Sequence, residues 1–495
     1  MRRRGFLAGA AALAALPRTA RAETPTLLQE ARALAAAPYA QASAPLPPPF
    51  AGLSYNAYRG IRPIPGRAAM LPHGARFAVD LLPPGLYFPD PVIIERDTGN
   101  GPVTTAFDPA LFAFDPRYFN AVPRTAPGAG FSGLRLRHAL NAPERMDEVL
   151  VMQGASYFRA IGQAMTYGLS ARAVALGTGG AKPEEFPRFT RLRLHPPEGD
   201  RLRIEAVIDS ASLAGHLDMV LHPGANTVCD VTVTILPRRE IADIGIAPLT
   251  SMYLRGPLRA SVSDDFRPRV HDSDVLMIRN GAGETLWRPI GNPARLQQSA
   301  FVDDGPSGFG LLQSARRFAD YEDPEALYHA RPNAIVRPKG DWGHGAVMLV
   351  EIPTGDEFMD NIVAFWRPDA PLSAGGEYRF AYELTFTLEV PETGPHPILQ
   401  TRSGREHHRP GTRRYVIDYA GAAQDMRPEI SATDARITGA SLFALPEGRG
   451  TRLSFLLTPD GAESTELRAQ LRGDDGTPVS PVWLHRWTRA RDGGV

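Results

Sequence analysis

The chain has 495 residues, with Lys plus Arg and Asp plus Glu both at 54, so its formal net charge is zero. That length exceeds one ordinary core and points to two domains; the charge balance argues against nucleic acid as the main partner, because such proteins concentrate positive charge, and a neutral ligand fits better. Gly and Pro stand at 47 each, and short apolar runs ending in P-G, G-x-P or D-G turns read as mostly β.

At the start, Arg2, Arg3 and Arg4 precede Gly5-Phe6-Leu7, an apolar run reaches Leu16, and Ala20-Arg21-Ala22 offers a small-x-small cleavage site. This reads as a bacterial export signal over residues 1–22. Its Arg-Arg-x-Phe-Leu order looks twin-arginine-like, with an Arg-rich general secretory signal as the alternative. No later run reaches the ~18–20 apolar residues of a membrane span, so the sequence predicts a soluble mature protein outside the cytoplasm, with no membrane insertion. A helix-like stretch, TLLQEARALAAAP, stops at Pro38, and Leu46 to Phe50 is Pro-rich and extended. From about Tyr55 short strands and turns follow, among them FAVDLLPPG, PVIIERD, FSGLRLRHAL, RLRLHPP, RLRIEAVIDS, HLDMVLHPG and TVCDVTVTILP. They predict a large antiparallel sheet system. Cys229, the one cysteine, lies in an apolar strand-like run and reads as core rather than nucleophile. Helix resumes only briefly, around Pro324 to His329. After Val390, Pro391 to Pro397 reads as a linker. The remaining strands, residues 398–495, suit a small immunoglobulin-like sandwich without a Cys-Trp-Cys pattern. No internal repeat is present.

Chemistry concentrates in DWGHGAVMLVEIPTGDEFMDNIVAFWRP, Asp341 to Pro368. Two apolar runs, Ala346 to Ile352 and Ile362 to Trp366, flank Asp356, Glu357 and Asp360, and Pro353 and Gly355 mark the middle as a loop. The carboxylates then sit at a sheet mouth, either as a site or as a solvated acidic turn. Upstream, VHDSDVLMI carries Asp272 and Asp274, which an extended chain would aim to one side, with His271 and Ser273 on the other. Such a pair repels unless a metal, a cation or a shared proton relieves it. A D-x-D metal site, a hydrolase acid or base, and a solvated strand end all remain open. His407 and His408, in an Arg-crowded loop, read as surface. No GxSxG in a strand-turn-helix setting, phosphate-binding loop or dinucleotide fingerprint appears, which leaves serine hydrolase and nucleotide chemistry without support. Trp287, Phe309, Tyr321, Tyr328, Trp342 and Trp366 are interleaved with polar residues, a composition that suits a sugar ring or, residue by residue, plain β core.

GASYFRAIGQAMTYGLSARAVAL (from Gly154), EEFPRF (Glu184), RREIADIGIAPLTSMY (Arg238), DDFRPRVHDSD (Asp264), LWRPIGNPARLQ (Leu286), GFGLLQ (Gly308), GDWGHGAVMLVEIPT (Gly340) and MDNIVAFW (Met359) resemble the periplasmic glucan biosynthesis proteins of the OpgG/OpgD (MdoG/MdoD) type. The likeness runs from about Tyr55 to near Tyr415, and the signal resembles the OpgD branch. It implies an all-β fold: a large galactose-mutarotase-like β-sandwich over residues 23–390, a linker at 391–397, and an immunoglobulin-like domain over 398–495. It also implies a periplasmic role in making osmoregulated glucans with a β-1,2-linked glucose backbone. Some members are inverting β-1,2-glucanases, and that pattern places the general acid on Asp360 and the general base on Asp272. Glu357 and Tyr328 fall where the family lines the cleft; Asp274, Trp342, Trp366 and Arg288 of the LWRPIG motif are carried as supporting or binding residues. Inverting chemistry needs the two carboxyls about 6.5–9.5 Å apart and a raised pKa on the acid, for which Asp360 behind Phe358 and Met359 is suited. Neither metal nor cofactor is required. Departures are RPNAIVRP, where the family commonly reads RPSLWVEP, so that Ile335 and Arg337 replace a Trp and a Glu, and YNAYRGIRP for YDQYRDIRF.

The function expected is an inverting β-1,2-glucanase acting on the glucan backbone. The alternative is a non-catalytic glucan-binding or scaffolding factor that assists a membrane glucan synthase. A mutarotase-like activity rests on fold analogy alone.

Overall fold

Runs in which apolar and charged residues alternate form strands here because a pleated chain sends successive side chains to opposite faces. In Arg188–Leu194, Phe189, Leu192 and Leu194 are buried. A bulge between Phe189 and Arg191 shifts the phase. It lets Arg191 and Arg193 both reach Glu95 on the neighbouring strand Ile93–Asp97. The computed structural model describes residues 25–40, 45–68, 70–71, 76–121, 123, 125–259, 264–422 and 425–492. The export signal expected at 1–22 lies outside them.

The fold is all-β. One ten-stranded sheet runs, in spatial order, through Phe77–Leu82, Gly133–Ala142, Arg145–Gln153, Tyr157–Ala160, Ser170–Arg172, Ile244–Ser251, Ile362–Pro368, His344–Glu351 and Gln297–Asp304, with Val174–Leu176 branching onto Ile244–Ser251. A fourteen-stranded sheet contains the antiparallel meander Arg188–Leu194, Leu202–Asp209, Leu213–His222 and Thr227–Pro237, with the remote strand Tyr378–Thr387 paired onto its last member. The inner faces of both share one core: Leu134, Leu150 and Met152 from the first belong to the same buried cluster as Ile204, Leu217, Val231 and Leu384 from the second. Cys229 is fully buried there, and burial pushes its thiol well up, as expected of a core residue.

The helix expected before Pro38 spans Leu27–Ala36. Thr26 and Gln29 close a capping box at its start, and Leu27 and Ala31 pack on Val207 and Leu236. Helix also forms over Tyr55–Arg59, capped by Ser54, where none was expected, and the brief helix expected around Pro324 to His329 is a pair of 3-10 turns, Phe318–Asp320 and Tyr328–Ala330. Segment 391–397 holds neither helix nor strand. Beyond it, four strands form their own sheet: Ile398–Arg405, Arg413–Tyr419, Thr451–Thr458 and Arg436–Ala444. Met426–Ala432, Ser464–Gly473 and Val482–Thr488 instead continue the fourteen-stranded sheet, the last pairing in parallel with Thr285–Pro289.

Candidate active site

The paired strands His344–Glu351 and Ile362–Pro368 hold loop 352–361 between them. Two asparagines fix the loop. Asn292 donates to the carbonyl of Thr354 at 2.8 Å and accepts from its N–H at 3.0 Å. Asn361, fully buried, accepts from Tyr253 N–H at 2.8 Å and donates to the carbonyls of Ile352 at 2.8 Å and Tyr253 at 3.1 Å. These bonds satisfy backbone groups that the loop leaves without ladder partners. Asp356 is exposed and accepts from Phe358 N–H at 2.9 Å, the role of a turn residue.

Asp360 lines a cleft of about 590 Å³ with Tyr87, Phe88, Tyr157, Phe158, Arg159 and Tyr167 among its walls. Burial raises its pKa, Arg159 opposes this, and the charge of Asp272 adds to the rise. Its one hydrogen bond among the described residues is from Arg159 Nη2 to Oδ2 at 3.4 Å. Phe358 and Met359, expected to bury Asp360, are instead 91% and 41% exposed. The cleft aromatics Tyr157 and Phe158 stand around it in their place.

Asp272 follows the short strand Val270–His271, which pairs with Tyr253–Arg255. Its N–H donates to the Met252 carbonyl at 2.8 Å, and its carboxylate accepts from Arg331 Nη1. The side chain is 5% exposed. Burial raises its pKa, and Arg331 and then Arg159 oppose the rise. Arg331 also covers the Tyr328 ring at 4.2 Å, a cation-π contact. Tyr328 donates its hydroxyl to Glu357 Oε2, which accepts from Arg267 at 2.8 Å as well. Arg267 in turn joins Asp265 and Asp323.

Asp272, Glu357, Tyr328 and Asp360 therefore lie in one electrostatic neighbourhood. Asp274 does not share it. The chain bends after His271 instead of staying extended, which ends the alternation, and the Asp274 carboxylate accepts from the N–H and hydroxyl of Ser314. The acid pair is thus relieved by Arg331 on one member and a loop on the other. Among the described residues no group of three or more His, Cys, Asp or Glu is placed to hold a metal.

Three further candidates sit away from the cleft. Trp366 is fully buried and Trp342 nearly so; the two rings pack on each other, and Trp342 also meets Phe380 and Tyr382 edge-on. Arg288 is buried beside Glu351 at 3.5 Å and donates to the Pro289 carbonyl at 2.6 Å. Trp287, Phe309 and Tyr321 are core as well, so the aromatic inventory of that region is mostly packing. His407 and His408 are exposed. The aromatics that do line the cleft escaped the sequence reading, although YFRA alternates: Tyr157 and Arg159 are half-buried, and Phe158 and Ala160 are buried.

On an all-β scaffold, a cleft walled by Tyr87, Phe88, Tyr157, Phe158 and Tyr167 and edged by charged groups has the apolar-plus-polar lining of a small-molecule binding site. The family model described as periplasmic glucan biosynthesis protein, MdoG, matches residues 23–487, and the chain belongs to that family. It is 42% identical over 473 residues to the glucans biosynthesis protein G of Vibrio cholerae serotype O1 (strain ATCC 39541 / Classical Ogawa 395 / O395), covering 94% of this chain and 86% of the relative. It is 40% identical over 481 residues to that of Shewanella frigidimarina (strain NCIMB 400), covering 95% and 85%. Among solved structures, the Slr1438 protein from Synechocystis sp. PCC 6803 aligns over 52% of this chain and 93% of its own at 8% identity and a TM-score of 0.26, which carries no argument. No helix among the described residues is long and apolar enough to cross a membrane.

Proposed function

We propose that the protein is a periplasmic β-1,2-glucanase that hydrolyses the glucan backbone with inversion, Asp360 as general acid and Asp272 as general base. The observation that carries this is the unequal treatment of the two carboxyls. Burial raises the pKa of Asp272 too, but Arg331 clamps its carboxylate and opposes that rise by charge and by a hydrogen bond, which favours the ionised form a base needs. Asp360 has only the long 3.4 Å contact with Arg159 while burial and the charge of Asp272 disfavour ionisation, which suits a proton donor. Asp360 would protonate the glycosidic oxygen, and Asp272 would take the proton of a water attacking the opposite face of the ring. With its side chain 5% exposed, Asp272 acts through an intervening water or side chain. Glu357, held by Tyr328 and Arg267, sets a fixed negative charge beside Asp272. No step uses a metal or cofactor. The periplasmic setting follows the family's description.

The burial of Asp272 behind an ion pair favours a second reading, a non-catalytic glucan-binding factor that assists a membrane glucan synthase. Incubation with linear β-1,2-glucan separates the two. Release of reducing ends, with the α-anomer seen first by NMR and loss of both in folded Asp360→Asn, supports the glucanase. Binding without cleavage by either protein supports the second reading.

A further inference from the structure

Five groups from four elements face Asp360. Arg159 and Tyr157 come from Tyr157–Ala160, Arg172 from Ser170–Arg172, Asp272 from the bend after Val270–His271, and Arg331 from beyond the Tyr328–Ala330 turn; Glu357, on the same loop as Asp360, acts on Asp272. Two of the three cations are locked. Arg331 holds Asp272 and donates to the Ala326 carbonyl at 3.1 Å. Arg172 is 4% exposed, donates to Thr250 at 2.8 Å and to Glu184 at 2.5 Å, and lies 4.6 Å from the Tyr157 ring centroid.

Arg159 is different. Its side chain is 40% exposed, it lines the cleft, and its one hydrogen bond among the described residues is the 3.4 Å contact with Asp360. Charge-assisted bonds of good geometry run about 2.7–2.9 Å, so this pair is loose and open to displacement by a better acceptor, although the Arg159 charge still acts on Asp360. The contact also conflicts with the acid role, because a guanidinium on a carboxyl favours the form that has no proton to give. A neutral glucan brings no charge to compete for Asp360, but its hydroxyls can accept from the guanidinium and its rings expel water. We infer that Arg159 is a substrate-displaced counter-ion of Asp360: glucan draws the guanidinium onto a sugar hydroxyl, and Asp360 takes one proton from solvent as the cleft fills. The free protein thus rests with its donor partly discharged, and the substrate itself charges it. This rests on the reading of Asp360 as the acid.

The test compares the basic limbs of kcat/KM and kcat, which report the donor in the free and the bound protein. In wild type the kcat limb should lie higher, by about one pH unit for each tenfold difference in proton affinity. Arg159→Leu should lift the kcat/KM limb to meet it, leave the kcat limb in place and raise KM several-fold. Arg159→Lys, which keeps a charge, should fall between. Coincident limbs in wild type, or equal movement of both in Arg159→Leu, overturn the inference while leaving the glucanase reading standing. If linear β-1,2-glucan binds without cleavage, the glucanase reading falls and calorimetry in two buffers of different ionisation heat decides instead. Proton uptake on binding that Arg159→Leu abolishes sustains the counter-ion, and its absence in wild type overturns it.

Discussion

A carboxyl that keeps its proton above the usual range is paid for in stability. Burial disfavours the charged form of Asp360, so its folded pKa lies above the unfolded value. Its contribution to stability is therefore fully present below the unfolded carboxylate pKa and is lost as pH rises through the window between the unfolded and folded values. Asp360→Asn should accordingly melt higher than wild type at pH 7, and the gap should close as the pH is lowered below that window. A melting series that shows equal transitions at every pH would remove the raised pKa from the argument. Motifs that name a chemical type singled out Asp272 and Asp360, and the fold brings these two carboxyls close enough for one to act on the other. Composition does not say whether a ring looks into a cleft or into the core: Trp342 and Trp366 fill the core, and the cleft takes rings from Tyr157, Phe158 and Tyr167.

At the scale of elements, the site depends on short segments holding each other by backbone groups. Removing the Asn361 side chain orphans the N–H and carbonyl of Tyr253 and the carbonyl of Ile352. At 1–3 kcal/mol for a buried orphan, partly offset by entering water, Asn361→Ala should cost about 2–4 kcal/mol in chemical denaturation. A loop displaced by an ångström should also lower kcat ~100-fold. Unchanged kcat at reduced stability would mean that the asparagine serves the fold alone. Gly168 makes the complementary case. A Cβ there would lie 2.8 Å from the Arg331 Cβ and 3.1 Å from its Cδ, so Gly168→Ala should push Arg331 off Asp272. A base that loses its cation binds a proton more tightly, and the acid limb of the activity profile should move to higher pH. The strands flanking the loop could be read from sequence to within two residues, since apolar runs bounded by Pro and Gly leave little choice. The bend at Asp272 to Asp274 could not. It is made by long-range partners, the Met252 and Leu312 carbonyls and Arg331, which local spacing does not contain.

At the scale of the whole molecule, an all-β chain was legible from turns and alternation alone, whereas the way its two ends share a sheet was not, because parallel pairing between remote strands leaves no local mark. Leu286 and Trp287 are in register with Val482 and Trp483. Val275, Met277, Trp287, Leu312 and Ile335 share a core with Tyr415, Phe455 and Trp483. Trp287, 2% exposed, is a direct reporter of that junction. If residues 23–390 formed a unit needing nothing from the rest, a chain ending at Val390 would keep this tryptophan dry. The shared core predicts otherwise. Ending the chain at Val390 strips one edge from Thr285–Pro289 and bares Val275, Met277, Trp287, Leu312 and Ile335, and each square ångström of apolar surface so exposed costs about 25 cal/mol. An exposed apolar edge strand also invites association between copies. The truncated chain should therefore show red-shifted tryptophan emission that Trp287→Phe reverses, a lowered melting temperature and concentration-dependent association. A soluble 23–390 chain with unshifted emission and full glucan binding would instead establish that the C-terminal strands are an attachment, and that the cleft lined by Asp360 stands without them.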